Sequence, residues 1–193
     1  MKIKCRQNFT RPAKTLVLLL LALLPVMFLT GCRGGQPDSA GAGDGFLAIQ
    51  GNAVVNVMRL SMDEIKSMED GLVENDYFSV NTYGTKEYTH FKGVWLWYLL
   101  QEKAGLKDHA SKVSIIAKDG YKVEYTLEEI QRDDYIDEQN PGAKYKMILA
   151  WEEDGRECDT AEGNPLKLVV GQKGPGDVNK PFWARNVMAI RVD

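Results

Sequence analysis

The chain is poor in the residues that most metal and nucleophile sites use. Its 193 residues include three cysteines and two histidines. It contains no Cys-x-x-Cys, His-Glu-x-x-His, Gly-x-Ser-x-Gly or P-loop sequence, which excludes several common zinc, hydrolase and nucleotide-hydrolysing classes. The glycine-rich segment 171–176 lacks the spacing of a dinucleotide-binding loop. Other patterns must therefore indicate the function.

Long apolar runs are also scarce, and the one that exists is N-terminal and ends near a cysteine. Residues 16–29 follow a basic segment and number about 14, against roughly 20 for a membrane-spanning helix. This order of charge and hydrophobicity is typical of a secretory signal. Leu29-Thr30-Gly31-Cys32 resembles a bacterial lipobox, in which Cys32 receives lipid and becomes the mature N-terminus. An ordinary signal peptide and an uncleaved anchor are the alternatives.

The chain divides into a predicted signal peptide (1–31), a flexible tether rich in Gly, Ala and Ser (32–45), and one domain (46–193). The leader holds five of the 24 Lys and Arg and none of the 27 Asp and Glu, so the mature chain carries a net charge of −8. This acidity argues against nucleic acid as a partner. The lipid would hold the protein at the extracytoplasmic side of a membrane.

Short elements of both kinds predict an α+β domain and not a doubly wound parallel sheet. Two capping boxes, Ser61 to Glu64 and Thr126 to Glu129, mark helix starts. A third helix is predicted from Val94 to a C-cap at Gly105, and Asp119-Gly120 predicts a hairpin turn. The residues of the third helix expected in the core are Leu96, Leu99 and Leu100. The predicted strands are 47–49, 54–57, 77–83, 113–117, 122–125, 147–151, 166–170 and 187–192.

Six segments follow one another in an order that carries a family pattern. They are Leu60–Ile65, Phe91–Leu100, Ala117–Glu129, Leu149–Arg156, Gly163–Val170 and Trp183–Val192. The second, for example, is similar to the family sequence W-x-G-V-P-L. This series resembles the oxidoreductase molybdopterin-binding domains of the sulfite-oxidase-like family, here as a short bacterial lipoprotein. The resemblance implies a β-rich, mixed-sheet fold with a few short helices over residues 46–193.

The chain departs from this family at the metal ligand. Members that perform molybdenum chemistry supply a cysteine thiolate from the segment before W-x-G-V-P-L, and soft thiolates suit such a metal. Residues 77–84 contain no cysteine, and the lost ligand falls near Phe78 or Ser79. No metal ligand is therefore predicted. The residues that the resemblance gives to the cofactor are Asn81, His90, Lys173 and Lys180. The alternatives are a packed His90 and a surface turn with solvated lysines.

Three aromatic residues and one thiol remain to be placed. Trp95, Trp97 and Tyr98 cannot all face the core beside the predicted leucines, so they form either an exposed site for a protein partner or small ligand, or a thicker core. Cys158 would be the sole free thiol of the mature domain, which excludes an internal disulfide.

Our leading interpretation is a lipid-anchored extracytoplasmic binding or accessory module that has lost its metal-ligand chemistry. It expects no cofactor, molybdopterin being the alternative. The competing hypothesis is a molybdenum-cofactor-dependent oxidoreductase with an electron-transfer partner, and a third is a solute-binding lipoprotein with an aromatic cleft. Arg6 and Arg11 are not paired. The leader is therefore typical of unfolded export, which disfavours a cofactor inserted before export.

Overall fold

Alternating apolar residues build two mixed sheets in a computed structural model that describes residues 45–158 and 165–193. The signal peptide, Cys32 and nearly all of the tether lie outside the described residues, as do Gly163 and Asn164. None of the helices in the described part is both long and apolar enough to cross a membrane.

The strands are β1 (Phe46–Gln50), β2 (Met58–Ser61), β3 (Leu72–Val80), β4 (Lys86–Trp95), β5 (Lys112–Ala117), β6 (Lys122–Thr126), β7 (Ile148–Glu153), β8 (Arg156–Glu157), β9 (Lys167–Val169) and β10 (Val187–Val192). The helices are α1 (Met62–Lys66), α2 (Leu96–Tyr98), which continues as a π-helix (Leu99–Ala104), and α3 (Leu127–Gln131). Two 3₁₀ turns are Glu69–Gly71 and Lys180–Phe182.

The first sheet has the strand order β2-β1-β10-β5-β6, in which β1 and β10 run parallel. The second has the order β3-β4-β7-β8, and β9 also pairs with β7. Side chains from both sheets and from α2 belong to one buried cluster. Strand-rich mixed sheets with a few short helices confirm the predicted α+β class.

The predictions that depend on residues close together in the sequence are confirmed. Both capping boxes form: the Ser61 hydroxyl accepts the Glu64 N–H, and the Thr126 hydroxyl accepts the Glu129 N–H. The predicted hairpin turn joins β5 and β6, with Gly120 at φ +86°. The three leucines of the α2 region are fully buried, as expected: Leu96, Leu99 and Leu100.

The predicted strand at 54–57 is wrong. Val54 makes an isolated bridge to Leu106, and β2 begins only at Met58. The N–H groups of Val55 and Asn56 donate to the carbonyls of residues 105 and 104, at 2.9 and 2.8 Å. These carbonyls lie at the end of the π-helix and lack partners within it, so this segment serves as a cap.

The strand predicted at 77–83 and the helix start at Val94 also need correction. β3 ends at Val80, and Asn81 lies in the turn to β4, which the sequence analysis missed. Trp95 is extended (φ −60°, ψ 121°), so α2 begins at Leu96. The β4–β7 pairing shifts register between Lys92 and Gly93. A Cβ on Gly93 would lie 2.3 Å from the Leu149 carbonyl oxygen, so only glycine fits this close approach.

Candidate cofactor and ligand sites

The end of β3, where the family supplies its thiolate, is buried. Ser79 is 1% exposed, and its hydroxyl donates to the Glu87 carbonyl at 3.5 Å. Phe78 is also buried and packs against the Tyr88 ring, with 5.2 Å between centroids. Neither side chain offers the soft thiolate that a redox metal of this kind requires. The alternative positions for the lost ligand are therefore both occupied by packed side chains.

The loop that follows β9 (residues 170–186, the β9–β10 loop) is joined to the end of β3 by one buried amide. Asn179 is 1% exposed, and its Oδ1 accepts the Val80 N–H at 2.9 Å. Its Nδ2 donates to the carbonyls of Phe78 at 3.0 Å and Val170 at 2.9 Å. Both donors and the acceptor of the amide are used, so the loop is fixed against β3. Sequence reasoning missed Asn179, because no local pattern marks it as buried.

Two backbone N–H groups of this loop donate to carboxylates of the protein. Lys173 N–H donates to Asp177 Oδ2 at 2.9 Å, and Gly176 N–H donates to Glu138 Oε2 at 2.7 Å. Hydrogen bonds from Lys86 and from the Gly176 amide hold the pKa of Glu138 below its usual value. An anionic ligand bound here would have to displace both carboxylates.

The two lysines predicted to bind the cofactor are paired with carboxylates as well. Lys180 Nζ lies 2.9 Å from Glu87 Oε2, and Lys173 bonds to Glu129. Burial raises the pKa of Glu129, but the hydrogen bonds from Lys173 and from the Thr126 backbone outweigh it, so the net pKa is lowered. The charge that an anionic cofactor would need is thus already neutralised in both places.

Taken together, the residues present do not fit the cofactor that the resemblance implies. No thiolate is present at Phe78 or Ser79, two N–H groups of the loop are bonded to carboxylates, and both lysines are in ion pairs. Cofactor binding by the predicted residues stays a prediction, and it would require these ion pairs to break.

Asn81 has a local role in the β3–β4 turn. Its Oδ1 accepts the N–H groups of Tyr83 and Thr85, both at 2.9 Å. A side-chain oxygen that accepts N–H groups two and four residues on stabilises a tight turn. Asn81 therefore has its acceptor engaged in the hairpin.

His90 lies in β4 beside two acids. Its Nδ1 is 2.7 Å from Asp76 Oδ1, and its Nε2 is 3.3 Å from Glu74 Oε1. Hydrogen bonds to Asp76 and then Glu74 raise the pKa of His90. Successive residues of a strand point to opposite faces, so His90 and Glu87, the partner of Lys180, lie on opposite faces of the hairpin. The structure therefore does not bring His90 and Lys180 into one site.

Cys158 lies at a different level of the second sheet from Ser79. The pairs Ser79–Glu87, Lys92–Glu152 and Glu152–Glu157 place Cys158 beyond the level of Lys92. That level is five residues along β4 from Glu87, or roughly 16 Å at the rise of a strand. The thiol is buried, and burial raises its pKa. Cys158 is therefore too distant to replace the lost ligand at Ser79.

The aromatic residues 95, 97 and 98 are half-buried. Trp97 and Tyr98 pack against the core, as the thicker-core interpretation expects. The Nζ of Lys146 lies 4.0 Å from the centroid of the Trp95 ring, and the buried Trp95 Nε1 has no hydrogen-bond partner among residues 45–158 and 165–193. A partner or ligand site at these three residues stays a prediction.

A cleft of about 700 Å³ lies at the turn between β7 and β8. We call it the arginine cleft, and its principal lining residues are Asp154, Arg156, Cys158, Lys167, Arg185 and Asn186. A smaller pocket of about 140 Å³ shares Lys167 and Arg185 with it. Of the four predicted cofactor residues, Lys180 alone borders this pocket. Sequence reasoning missed the cleft, because its cations come from separate segments.

Comparison with known proteins supports the fold. No family model matches the chain, and no curated protein matches it. Among solved structures, the chain is similar to the sulfane dehydrogenase SoxCD from Paracoccus pantotrophus, with a TM-score of 0.58 and 18% identity. The match covers 79% of this chain and 39% of that one, so this chain spans well under half the length of its structural neighbour. The domain therefore has the predicted α+β, sulfite-oxidase-like fold, and the likeness extends to the fold alone.

Asn179→Ala is expected to lower the free energy of unfolding by about 3 kcal/mol, because it leaves the Val80 N–H and the Phe78 carbonyl unpaired in a buried place. Urea unfolding of the purified protein measures this. The matched control is Asn75→Ala in β3, where the side chain is exposed and the change should stay within about 0.5 kcal/mol. Equal losses in the two variants would contradict the assigned role of Asn179.

His90 is expected to titrate above its ordinary pKa of 6.5, because Asp76 and Glu74 favour the imidazolium. The stabilisation this gives is complete below about pH 6.5 and is lost as the pH rises through the raised pKa. NMR titration of the imidazole measures the pKa, and Asp76→Asn should move it back toward 6.5. In thermal unfolding, His90→Gln should cost stability at about pH 5.5 and nothing at about pH 9. A cost independent of pH would refute this linkage.

Proposed function

We propose that the protein is a lipid-anchored, extracytoplasmic binding or accessory module built on the sulfite-oxidase-like domain, without molybdenum chemistry of its own. The observation that carries the proposal is the buried end of β3, where Phe78 and Ser79, the two candidate positions of the lost ligand, are packed and neither is a cysteine. The resemblance of Leu29-Thr30-Gly31-Cys32 to a lipobox and the predicted tether after it support a location outside the cytoplasm.

The β9–β10 loop supports the proposal independently of the missing cysteine. Restoring a thiolate alone would leave the Asp177 and Glu138 bonds and the lysine ion pairs in place. Each is a short-range interaction, and together they occupy the groups that an anionic cofactor would use. Binding of a partner or small ligand elsewhere on the domain needs none of these groups.

Molybdenum analysis tests the proposal directly. The protein, purified from a molybdenum-replete host that assembles molybdenum cofactors, should contain far less than one metal per chain by mass spectrometry. A molybdenum enzyme of the same host, purified in parallel, is the positive control. Ser79→Cys should remain equally metal-poor, because the loop groups stay engaged. Stoichiometric molybdenum in the unaltered protein would overturn the proposal, and its gain in Ser79→Cys would show that the loop is no barrier.

Cys32 is expected to be the mature N-terminus and to carry lipid on its thiol. Mass spectrometry of the N-terminal peptide should show an acylated Cys32, and detergent partitioning should place the protein in the membrane fraction. Cys32→Ala should abolish acylation, whereas Cys5→Ala, within the leader, should leave the mature protein unchanged. An unmodified mature N-terminus at another residue would contradict the lipobox.

A further inference from the structure

The arginine cleft is lined by three acidic and three basic side chains, which differ in whether they already have a partner. Each carboxylate that lines it is already engaged: Glu153 pairs with Lys167, and Glu157 pairs with Lys66. Asp154 Oδ1 accepts the His90 N–H at 3.0 Å. Two of the three carboxylates are therefore in ion pairs, whereas Asp154 is bonded to a neutral N–H group and keeps its charge.

Arg156 and Arg185 have no such partner. Neither makes an ion pair or side-chain hydrogen bond within residues 45–158 and 165–193. The other three arginines of this part are engaged: Arg132 with Asp134, Arg191 with Asp193, and Arg59 over the Phe46 ring. Each guanidinium presents a fork of N–H donors that suits an oxyanion, and the two exposed arginines line the same cleft.

The backbone next to both arginines is held in an uncommon conformation. Asp154 and Asn186 are the non-glycine residues with positive φ in the described part of the chain, each at 51°, and both line the cleft. Asp154 and Gly155, both with positive φ, form the two-residue turn between β7 and β8, a place where Asp-Gly is favoured. The conformation of the turns next to Arg156 and Arg185 is therefore set by the backbone, without ion pairs from these two arginines.

The smaller pocket, which Arg185 also lines, has a mixed lining: the charged side chains of Glu153, Lys167 and Lys180, and an apolar, aromatic wall. Trp183 packs edge-on against Phe91, with 5.4 Å between centroids, and its Nε1 donates to the Val170 carbonyl at 2.8 Å. Leu168 and Ala184 complete the wall. A volume of about 140 Å³ admits a small ring or a branched alkyl group.

We propose that the arginine cleft binds a small organic oxyanion, a carboxylate or a phosphate, whose charged group contacts Arg156 and Arg185 and whose apolar group enters the pocket at Trp183. This deepens the proposed function and rests on it, since it names the ligand class of the binding module. The guanidinium groups supply the charge, and the Trp183 wall selects against inorganic anions of the same charge.

Isothermal titration calorimetry with phenyl phosphate and with benzoate tests the proposal. One of the two should bind saturably at one site, and the better probe identifies the head group as phosphate or carboxylate. Inorganic phosphate and benzyl alcohol, which lack the ring and the charge respectively, should each bind at least tenfold more weakly. Inorganic phosphate binding as tightly as phenyl phosphate would overturn the role of the Trp183 pocket.

Variants locate the site. Arg156→Gln and Arg185→Gln should each weaken the better probe about tenfold, whereas Arg59→Gln, at an exposed arginine on β2, should change it less than twofold. The result that overturns the proposal is no saturable binding of either probe, or equal losses in all three variants. Circular dichroism confirms folding. Molybdenum content of the same sample tests the proposed function separately, because a metal-free protein without probe binding refutes only the cleft.

Discussion

The buried amide of Asn179 is the contact on which the arrangement of the candidate sites depends. It joins the β9–β10 loop to the end of β3 through two buried hydrogen bonds, and a third, to the Val170 carbonyl, lies within the loop. Buried Gln172 connects the same loop to the segment before β7, since its Oε1 accepts the Glu138 N–H. Its Nε2 donates to the Asp177 carbonyl within the loop. Unpaired buried amides are costly, so these bonds allow the loop few other positions. The places of Lys180 and Trp183 follow from them.

Whether a charged side chain of this domain can bind a ligand depends on whether it already has a partner of opposite charge. Exposed ion pairs such as Lys180–Glu87 contribute little to stability, because solvent screens them and ordering two side chains costs entropy. These ion pairs do affect ligand binding, because a lysine that is paired with a carboxylate has no spare charge for a ligand. Arg156 and Arg185 differ because the nearby acids already have other partners. The unpaired arginines, and not the net charge, which is −8 for residues 32–193, therefore indicate where the proposed anion would bind.

What the sequence could predict divides by the range of the interaction. The capping boxes and the Asp119-Gly120 turn depend on residues within a few positions, and all are confirmed. β4 was missed and the 54–57 strand was wrong, because the partners of these segments lie elsewhere in the chain. The same limit applies to the site: the pairing of Lys173 with Glu129 joins residues 44 positions apart. No local pattern encodes such a contact, nor the burial of Asn179.

The fold and the chemistry of a site are separable here because they rest on different parts of the second sheet. The close approach at Gly93 and the pairing of β4 with β7 maintain the frame, and neither involves the groups a cofactor would use. At one end of β4, the neighbouring side chains Phe78 and Ser79 of β3 are buried. Three residues along β4 from Glu87, or roughly 10 Å at the rise of a strand, the His90 N–H bonds to Asp154 of the β7–β8 turn, which borders the cleft with the two unpaired arginines. The fold is therefore independent of whether either place binds a ligand.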